Sequence, residues 1–145
     1  MSVHLMHQLD EGLRQLVRFR SVLDAGGLPP GIEASASESI TLRFLQGNPV
    51  SQLQLGDYLG LEKSTVSRLV EALVAKGWVT KSPAPGNGRL RIVALTDAGH
   101  SVAAHIETAM LVTHRRMIEQ LTSEEQAALA VALPALVRVI SELAT

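Results

Sequence analysis

Apolar residues recur at three- and four-residue steps over most of the chain, a period typical of amphipathic helices. The first such stretch covers residues 4–23 and stops at the segment 26–31, which is rich in Gly and Pro. Later helix starts are marked by a hydroxyl residue with Glu or Gln three positions on, a capping-box pattern that pairs otherwise free backbone amides. These patterns begin at Ser35, Ser51 and Thr122. With a further long helix after Thr96, the sequence predicts a mainly α-helical chain.

Near the middle of the chain the period changes from that of a helix to that of strands. A helix predicted over residues 62–76 follows a shorter one across a tight turn at Gly60. Its predicted buried stripe consists of Val66, Leu69, Val70, Leu73 and Val74. Residues 78–81 and 90–95 are rich in β-formers and flank the turn-rich segment 82–88, which predicts a hairpin with a flexible tip. The order helix, turn, helix, hairpin predicts a winged helix-turn-helix.

The second helix of this motif carries small hydroxyls and cations away from its apolar stripe. Such side chains reach base edges and phosphates in a major groove about 12 Å wide. We therefore predict DNA contacts by Lys63, Ser64, Thr65, Ser67 and Arg68. Free amides and the helix dipole favour phosphate at the start of the shorter helix. Contacts to the DNA backbone are predicted there for Ser51, Gln52 and Gln54. The hairpin adds three cations suited to phosphate or a narrow minor groove, Lys81, Arg89 and Arg91.

Charge is distributed unevenly along the chain, although its sum is close to zero. The 145 residues carry 13 Lys and Arg against 14 Asp and Glu, a formal net charge of −1. Counted by segment, the net charge is −3 over residues 1–62, +5 over 63–91 and −3 over 92–145. The basic segment coincides with the predicted recognition helix and hairpin, which indicates a local surface for a polyanion. The acidic flanks are expected to limit non-specific binding.

Three stretches in this region resemble the MarR family of bacterial transcriptional regulators. They are residues 59–70 (LGLEKSTVSRLV), 73–79 (LVAKGWV) and 89–99 (RLRIVALTDAG). The resemblance implies a homodimeric repressor that reads a near-palindromic operator in double-stranded DNA and is released by a small anionic or aromatic effector. It also implies a helical dimerisation region, residues 1–34 and 100–145, and a winged helix-turn-helix DNA-binding domain, residues 35–99. Asn87 stands where the family usually has an acidic residue that helps to set the wing, which leaves the contact of Arg89 open.

The last predicted helix is too apolar for a solvent-exposed tail. Over residues 129–143 its charged side chains are Arg138 and Glu142. Its apolar face consists of Leu129, Leu133, Leu136, Val137, Ile140 and Leu143. Because burial of apolar area is worth roughly 25 cal/mol per Å², we expect a partner copy to cover this face. Pro134 lies inside the helix, and its missing amide hydrogen predicts a kink.

Three arginines are candidates for the effector site that the resemblance implies between the dimer helices and the DNA-binding lobe: Arg14, Arg18 and Arg43. The alternative is that they form surface salt bridges, since Asp10 lies four residues before Arg14. The spacing of His4 and His7 suits a pair of helical metal ligands, but they lie near a chain end. We therefore predict solvated or core histidines, no metal and no other cofactor.

Several classes of protein are excluded by what the sequence lacks. The chain has no cysteine, so disulfides, Cys-based zinc sites and thiol sensing are ruled out. It has no nucleophile motif, phosphate loop or paired carboxylates, so we expect no enzyme. It starts without the pattern of a signal peptide, and no uninterrupted apolar run reaches the ~18 residues of a membrane span, so a cytoplasmic protein is expected. A winged-helix protein-interaction module without DNA binding, and a repressor without a ligand, remain open alternatives.

Overall fold

The computed structural model describes the backbone of residues 2–25 and 30–145, and the side chains of all of these except residues 20–25. The predicted fold class is confirmed: the chain is mainly helical, with one small antiparallel sheet. The helices are α1 (Val3–Ala25), α2 (Ala36–Leu45), α3 (Gln52–Leu59), α4 (Lys63–Ala75), α5 (Asp97–Glu119) and α6 (Ser123–Leu143). The strands are β1 (Val50–Ser51), β2 (Val79–Ala84) and β3 (Asn87–Leu95).

The chain forms two compact units, residues 1–110 and 111–145. In the first unit the core lies among α2, α3, α4, the sheet and the start of α5. Its buried apolar residues are Leu42, Leu45, Leu55, Val66, Val70, Leu73, Val79, Val93, Ala103 and Ile106. Every one of these side chains is aliphatic. The core therefore holds together the helix-turn-helix and the base of the hairpin, the two elements on which the predicted interface depends.

The sheet has the strand order β1–β3–β2, with both neighbouring pairs antiparallel. The hairpin closes through Pro85 and Gly86, and Gly86 has a positive φ of 74°. Pro at the first and Gly at the second central position favour a type II turn, which does not match the twist of paired strands. The register shifts accordingly: Pro83 lies opposite Arg91 and Ala84 opposite Asn87, so β3 bulges between these pairs.

Two helix ends fix the position of the recognition helix, and the first is the turn at Gly60 that the sequence predicts. Gly60 takes the left-handed conformation at the end of α3, with φ 63°. At the end of α4 the Trp78 amide donates to the Leu73 carbonyl at 3.1 Å, and the Gly77 amide donates to the Val74 carbonyl at 2.9 Å. This pair of hydrogen bonds is a Schellman motif, and it turns the chain directly from α4 into β2.

The start of α5 is fixed against the end of α4. The Thr96 hydroxyl accepts from the Gly99 amide at 3.0 Å and donates to the Gly77 carbonyl at 2.6 Å. The Thr96 amide donates to the Trp78 carbonyl at 3.0 Å. A Cβ atom at Gly99 would overlap that same Trp78 carbonyl oxygen. A glycine is therefore required at position 99 by close backbone approach rather than by its φ angle.

Several local predictions from the sequence are wrong. The hairpin strands extend to Ala84 and from Asn87, so the seven-residue flexible tip reduces to a two-residue turn. Val74 is 41% exposed, because it is rotated by about 100° from Leu73 on the helix. Ser35 accepts from the Glu38 amide, but the Glu38 carboxylate binds Lys76 instead of completing the capping box.

The second unit, residues 111–145, contains the end of α5 and all of α6. Thr122 and Glu125 form the predicted capping box, and the Gln126 side chain donates to the Ile118 and Leu121 carbonyls. Helix α6 continues through Pro134. Met117, near the end of α5, is 45% exposed within the single chain.

Helix α6 leaves most of its apolar side chains uncovered in the single chain. Those with large exposed areas include Val131, Leu133, Val137, Ile140 and Leu143. The helix is also long and apolar enough to cross a bilayer, with a mean hydropathy of 1.5 over an 18-residue window. The count of uninterrupted apolar residues in the sequence did not lead us to expect such a helix. Length and composition alone do not separate a membrane helix from one that is covered by a protein partner.

Candidate nucleic-acid interface

The first turns of α4 present most of the predicted recognition residues to solvent. Lys63, Ser64, Thr65 and Arg68 are exposed, whereas Ser67 is half-buried. The opposite side of the helix is anchored in the core by Val66, Val70 and Leu73. The only hydrogen bond described for Arg68 is a long one, from its Nε to the Ser64 carbonyl at 3.5 Å. Its guanidinium therefore remains available for bidentate binding to a base edge or a phosphate.

The wing supplies a second group of cations close to the start of α4. A cleft of about 280 Å³ lies between α3, α4 and β3. Lys63, Arg89 and Arg91 line this cleft together with apolar residues, among them Leu53 and Leu90. No ion pair to any of the three cations is present among the described side chains. The hairpin thus adds two arginines to the cationic surface at the start of the recognition helix.

The residues of this cleft that sequence reasoning did not identify include Asp57 and Leu90. Asp57 places one carboxylate beside the cations, and Leu90 contributes apolar surface. No local pattern marks either residue, because the cleft exists only after the hairpin has folded back towards α3.

The predicted contacts at the start of α3 have different surroundings. Ser51 is 5% exposed, and its hydroxyl accepts from the Gln54 amide at 3.0 Å. The Gln54 side chain accepts in return from the Ser51 amide at 2.9 Å, which completes a capping box. These two side chains therefore fix the start of α3. Gln52 differs, because its Oε1 is buried and has no hydrogen-bond partner in the described structure.

Lys81 is less available than the two wing arginines. Its Nζ lies 3.7 Å from a carboxylate oxygen of Glu71 on α4. This ion pair ties β2 to the recognition helix, although an exposed pair of this length contributes little to stability. Lys76 also forms a tie: its ammonium binds the Glu38 carboxylate and the Glu33 carbonyl, which connects the end of α4 to the start of α2.

The three candidate effector arginines lie in different environments. Arg14 is exposed and pairs with Asp10 at 3.1 Å and Glu11 at 2.8 Å, as the salt-bridge alternative predicted. The Arg18 guanidinium lies 5.1 Å from the centre of the Phe19 ring. Arg43 is half-buried, and its Nε is buried without a hydrogen-bond partner among the described residues.

Arg43 lines a cavity of about 370 Å³ with an aromatic wall. The rings of Phe44 and Tyr58, which also line it, are stacked with centroids 3.9 Å apart and planes 7° from parallel. Gln46 and Glu107 add polar groups, and Arg43 Nη1 lies 3.3 Å from the Met110 sulfur. The cavity thus combines an aromatic wall with two charged side chains of opposite sign, Arg43 and Glu107. Within residues 2–25 and 30–145, no group of three or more His, Asp or Glu side chains is placed to hold a metal ion.

Comparison with known proteins relates the middle of the chain to a known family. Residues 31–90, which span α2 to the wing, match the model of the MarR family. This segment of the chain is similar to the MarR family. A 62-residue segment is 40% identical to the HTH-type transcriptional regulator Rv1719 of Mycobacterium tuberculosis. That match covers 41% of the chain and 24% of the relative, so the chain spans only about a quarter of this relative's length.

Two solved structures extend the MarR-like architecture over the rest of the chain. The transcriptional regulator PcaV of Streptomyces coelicolor, solved with its natural ligand, aligns with 100% of this chain and 99% of its own, at 23% identity and a TM-score of 0.77. A MarR variant from E. coli, solved with operator DNA, aligns with 94% of this chain and 99% of its own, at 21% identity and a TM-score of 0.76. At these identities the likeness establishes a shared fold.

Proposed function

We propose that this chain is a MarR-family, sequence-specific DNA-binding transcriptional regulator that acts as a homodimer in the cytoplasm and is not an enzyme. The carrying observation is the exposed start of α4, where hydroxyls and the Arg68 guanidinium face solvent and Lys63 lines a cleft together with the wing arginines Arg89 and Arg91. Hydroxyls and a bidentate cation read base edges, while the surrounding cations bind phosphate. The E. coli structural neighbour, which was solved with operator DNA, supports the same use of this fold.

A homodimer is supported by the apolar side chains that remain exposed on α1 and α6. On α1 these include Leu5, Leu9, Leu13 and Leu16. On each helix, a row of exposed apolar side chains of this length favours a contact surface for a protein partner. A two-fold dimer would present two recognition helices about one DNA turn, ~34 Å, apart, which matches a near-palindromic operator.

The direct test of DNA binding is a salt series. Genomic fragments that the purified protein retains at physiological salt identify the operator. Titration of a labelled operator fragment, followed by fluorescence anisotropy, then gives the affinity at each salt concentration. Each protomer has five candidate phosphate-binding cations, Lys63, Arg68, Lys81, Arg89 and Arg91. A dimer that uses all of them would show a slope of log K against log salt of about −9, because each phosphate contact contributes about −0.9. Failure to retain any fragment, or a flat salt series, would instead support the protein-interaction module.

We further propose that the cavity at Arg43 binds the effector that releases a repressor from DNA. The buried unpartnered Nε and the stacked Phe44 and Tyr58 rings favour a flat organic anion. The PcaV neighbour was solved with a natural ligand, which supports ligand control in this fold. Arg14 forms two ion pairs, and the Arg18 guanidinium lies over the neighbouring Phe19 ring. Neither of these arginines lines the cavity at Arg43.

Benzoate, used as a probe anion, is expected to raise the melting temperature of the wild-type protein and to weaken its DNA binding. At 100 times Kd the stabilisation is about 2.7 kcal/mol, or several degrees for a chain of this size. Arg43→Gln should remove both effects, whereas Arg14→Gln, a matched loss of one cation, should keep them. An unchanged benzoate shift in Arg43→Gln would contradict the proposed site. No shift in the wild type, tested with a set of aromatic and aliphatic carboxylates, would favour the repressor without a ligand.

A further inference from the structure

The turn of the wing contains an asparagine in surroundings that favour its chemical conversion. Asn87 and Gly88 are both exposed and follow directly on the turn at Pro85 and Gly86. We propose that Asn87 is an intramolecular deamidation site, at which the wing slowly gains a carboxylate beside its DNA-binding arginines. The sequence contains one other asparagine, Asn48, and Pro49 follows it.

Gly88 lies in the part of β3 that is out of register with β2. Because Pro83 lies opposite Arg91 and Ala84 opposite Asn87, no residue of β2 is in register with Gly88, Arg89 or Leu90. The described structure has no heavy atom within 4 Å of the position that a Cβ of Gly88 would occupy. A residue with neither a side chain nor a cross-strand partner can rotate its amide towards the preceding side chain at little cost.

The Asn87 side chain is held in a state that favours attack at its Cγ atom. The Arg89 backbone amide donates to Asn87 Oδ1 at 3.1 Å. This bond polarises the side-chain carbonyl, and it stabilises the negative charge that develops on Oδ1 when a nucleophile adds to Cγ. Nδ2, the leaving atom, remains without a described partner.

The reaction needs only water and hydroxide as co-reactants. Hydroxide removes the Gly88 amide proton, and the nitrogen forms a bond to Asn87 Cγ. The Cγ–Nδ2 bond then breaks, and the nitrogen leaves as ammonia with a proton from water. Water opens the resulting five-membered succinimide at one of its two carbonyls. The products are aspartate and isoaspartate, and in the second the main chain is one carbon longer.

The consequence for binding rests on the proposed DNA-binding function, whereas the conversion itself does not. A carboxylate at position 87 lies two residues before Arg89 and four before Arg91, at the position where the family that the sequence resembles usually has an acidic residue that helps to set the wing. It attracts these guanidinium groups, and it lowers the charge of residues 63–91 from +5 to +4. An arginine that pairs with this carboxylate neutralises one phosphate less, which should reduce the magnitude of the salt slope by about 0.9 for each wing.

The conversion is tested by incubating the full-length protein at neutral and mildly alkaline pH, followed by peptide mapping and mass spectrometry. Residue 87 is expected to convert, faster at the higher pH, with separable aspartyl and isoaspartyl products. Asn48 should stay intact, because Pro49 has no amide hydrogen and cannot form the imide. Gly88→Ala, allowed by the open space and a φ outside the left-handed region, should slow conversion by about tenfold, an added barrier of about 1.4 kcal/mol.

Two results would overturn the proposed site. One is an intact Asn87 after a period in which a synthetic peptide of residues 83–91 has converted. The other is a Gly88→Ala variant that converts as fast as the wild type. For the effect on binding, aged wild type and Asn87→Asp should both show the smaller salt slope, while aged Gly88→Ala keeps the original one. Equal binding by Asn87→Asp and fresh wild type would refute the effect, and absent DNA binding by fresh protein would instead refute the proposed function.

Discussion

Arg68→Ala is expected to weaken operator binding by about 1–3 kcal/mol per half-site, or roughly fivefold to 150-fold at each one. The guanidinium projects from an exposed turn of α4 whose opposite side is locked in the core by Val66 and Val70. Its only described hydrogen bond is the long one to the Ser64 carbonyl, so binding DNA costs it little. Competition binding with operator fragments that differ at single base pairs measures both affinity and specificity.

Two variants separate base reading from charge at position 68. Arg68→Lys keeps the cation but loses the planar fork, so it should bind with relaxed specificity and nearly the original salt slope. Arg14→Ala removes the same charge from an exposed ion pair on α1 and should bind as the wild type does. If Arg68→Ala and Arg14→Ala have the same operator affinity, Arg68 does not contact DNA.

Disruption of the apolar face of α6 is expected to weaken operator binding even more, because a monomer can bind only one half-site of the operator. In Leu133→Glu/Val137→Glu, two carboxylates enter the proposed dimer contact on one side of the helix. A buried carboxylate without a partner costs several kcal/mol, so the dimer Kd should rise on the order of a thousandfold or more. Light scattering after size-exclusion chromatography should show a monomer, and tight operator binding should be lost with it.

Val131→Glu provides the matched control on the same helix. Val131 is 76% exposed and lies on the side of α6 opposite Leu133. The same substitution there should leave the dimer intact. A wild-type chain that is monomeric without detergent would contradict the dimer, and one that stays dispersed only with detergent would point to the membrane reading of α6.

Much of this architecture is encoded locally in the sequence. The capping boxes at Ser51 and Thr122 and the turn at Gly60 form as predicted, and the Schellman motif at Gly77 is equally local. Each depends on residues within about six positions of one another, so a linear pattern carries the necessary information. For the same reason the exposed start of α4, which the interface requires, follows directly from the spacing of its apolar stripe.

Features that depend on distant residues could not be predicted in this way. Glu38 leaves its expected capping role because Lys76, 38 residues later, lies within reach of its carboxylate. The cavity at Arg43 needs Tyr58 and Glu107 from two other helices. The predicted hairpin strands are too short, because Pro83 and Pro85 suggest that the first strand ends before them. An edge strand, however, tolerates proline at positions whose amide makes no hydrogen bond to the neighbouring strand.

The hydroxyl of Thr96 has a mechanical consequence for the recognition helix. This single oxygen atom is hydrogen-bonded both to the Gly77 carbonyl, just after the end of α4, and to the Gly99 amide in the first turn of α5. The Trp78 backbone also lies so close to Gly99 that no side chain fits between them. A displacement of the first turn of α5 is therefore expected to move the C-terminal end of α4 with it. Because α4 is one continuous helix, its DNA-facing start would move as well.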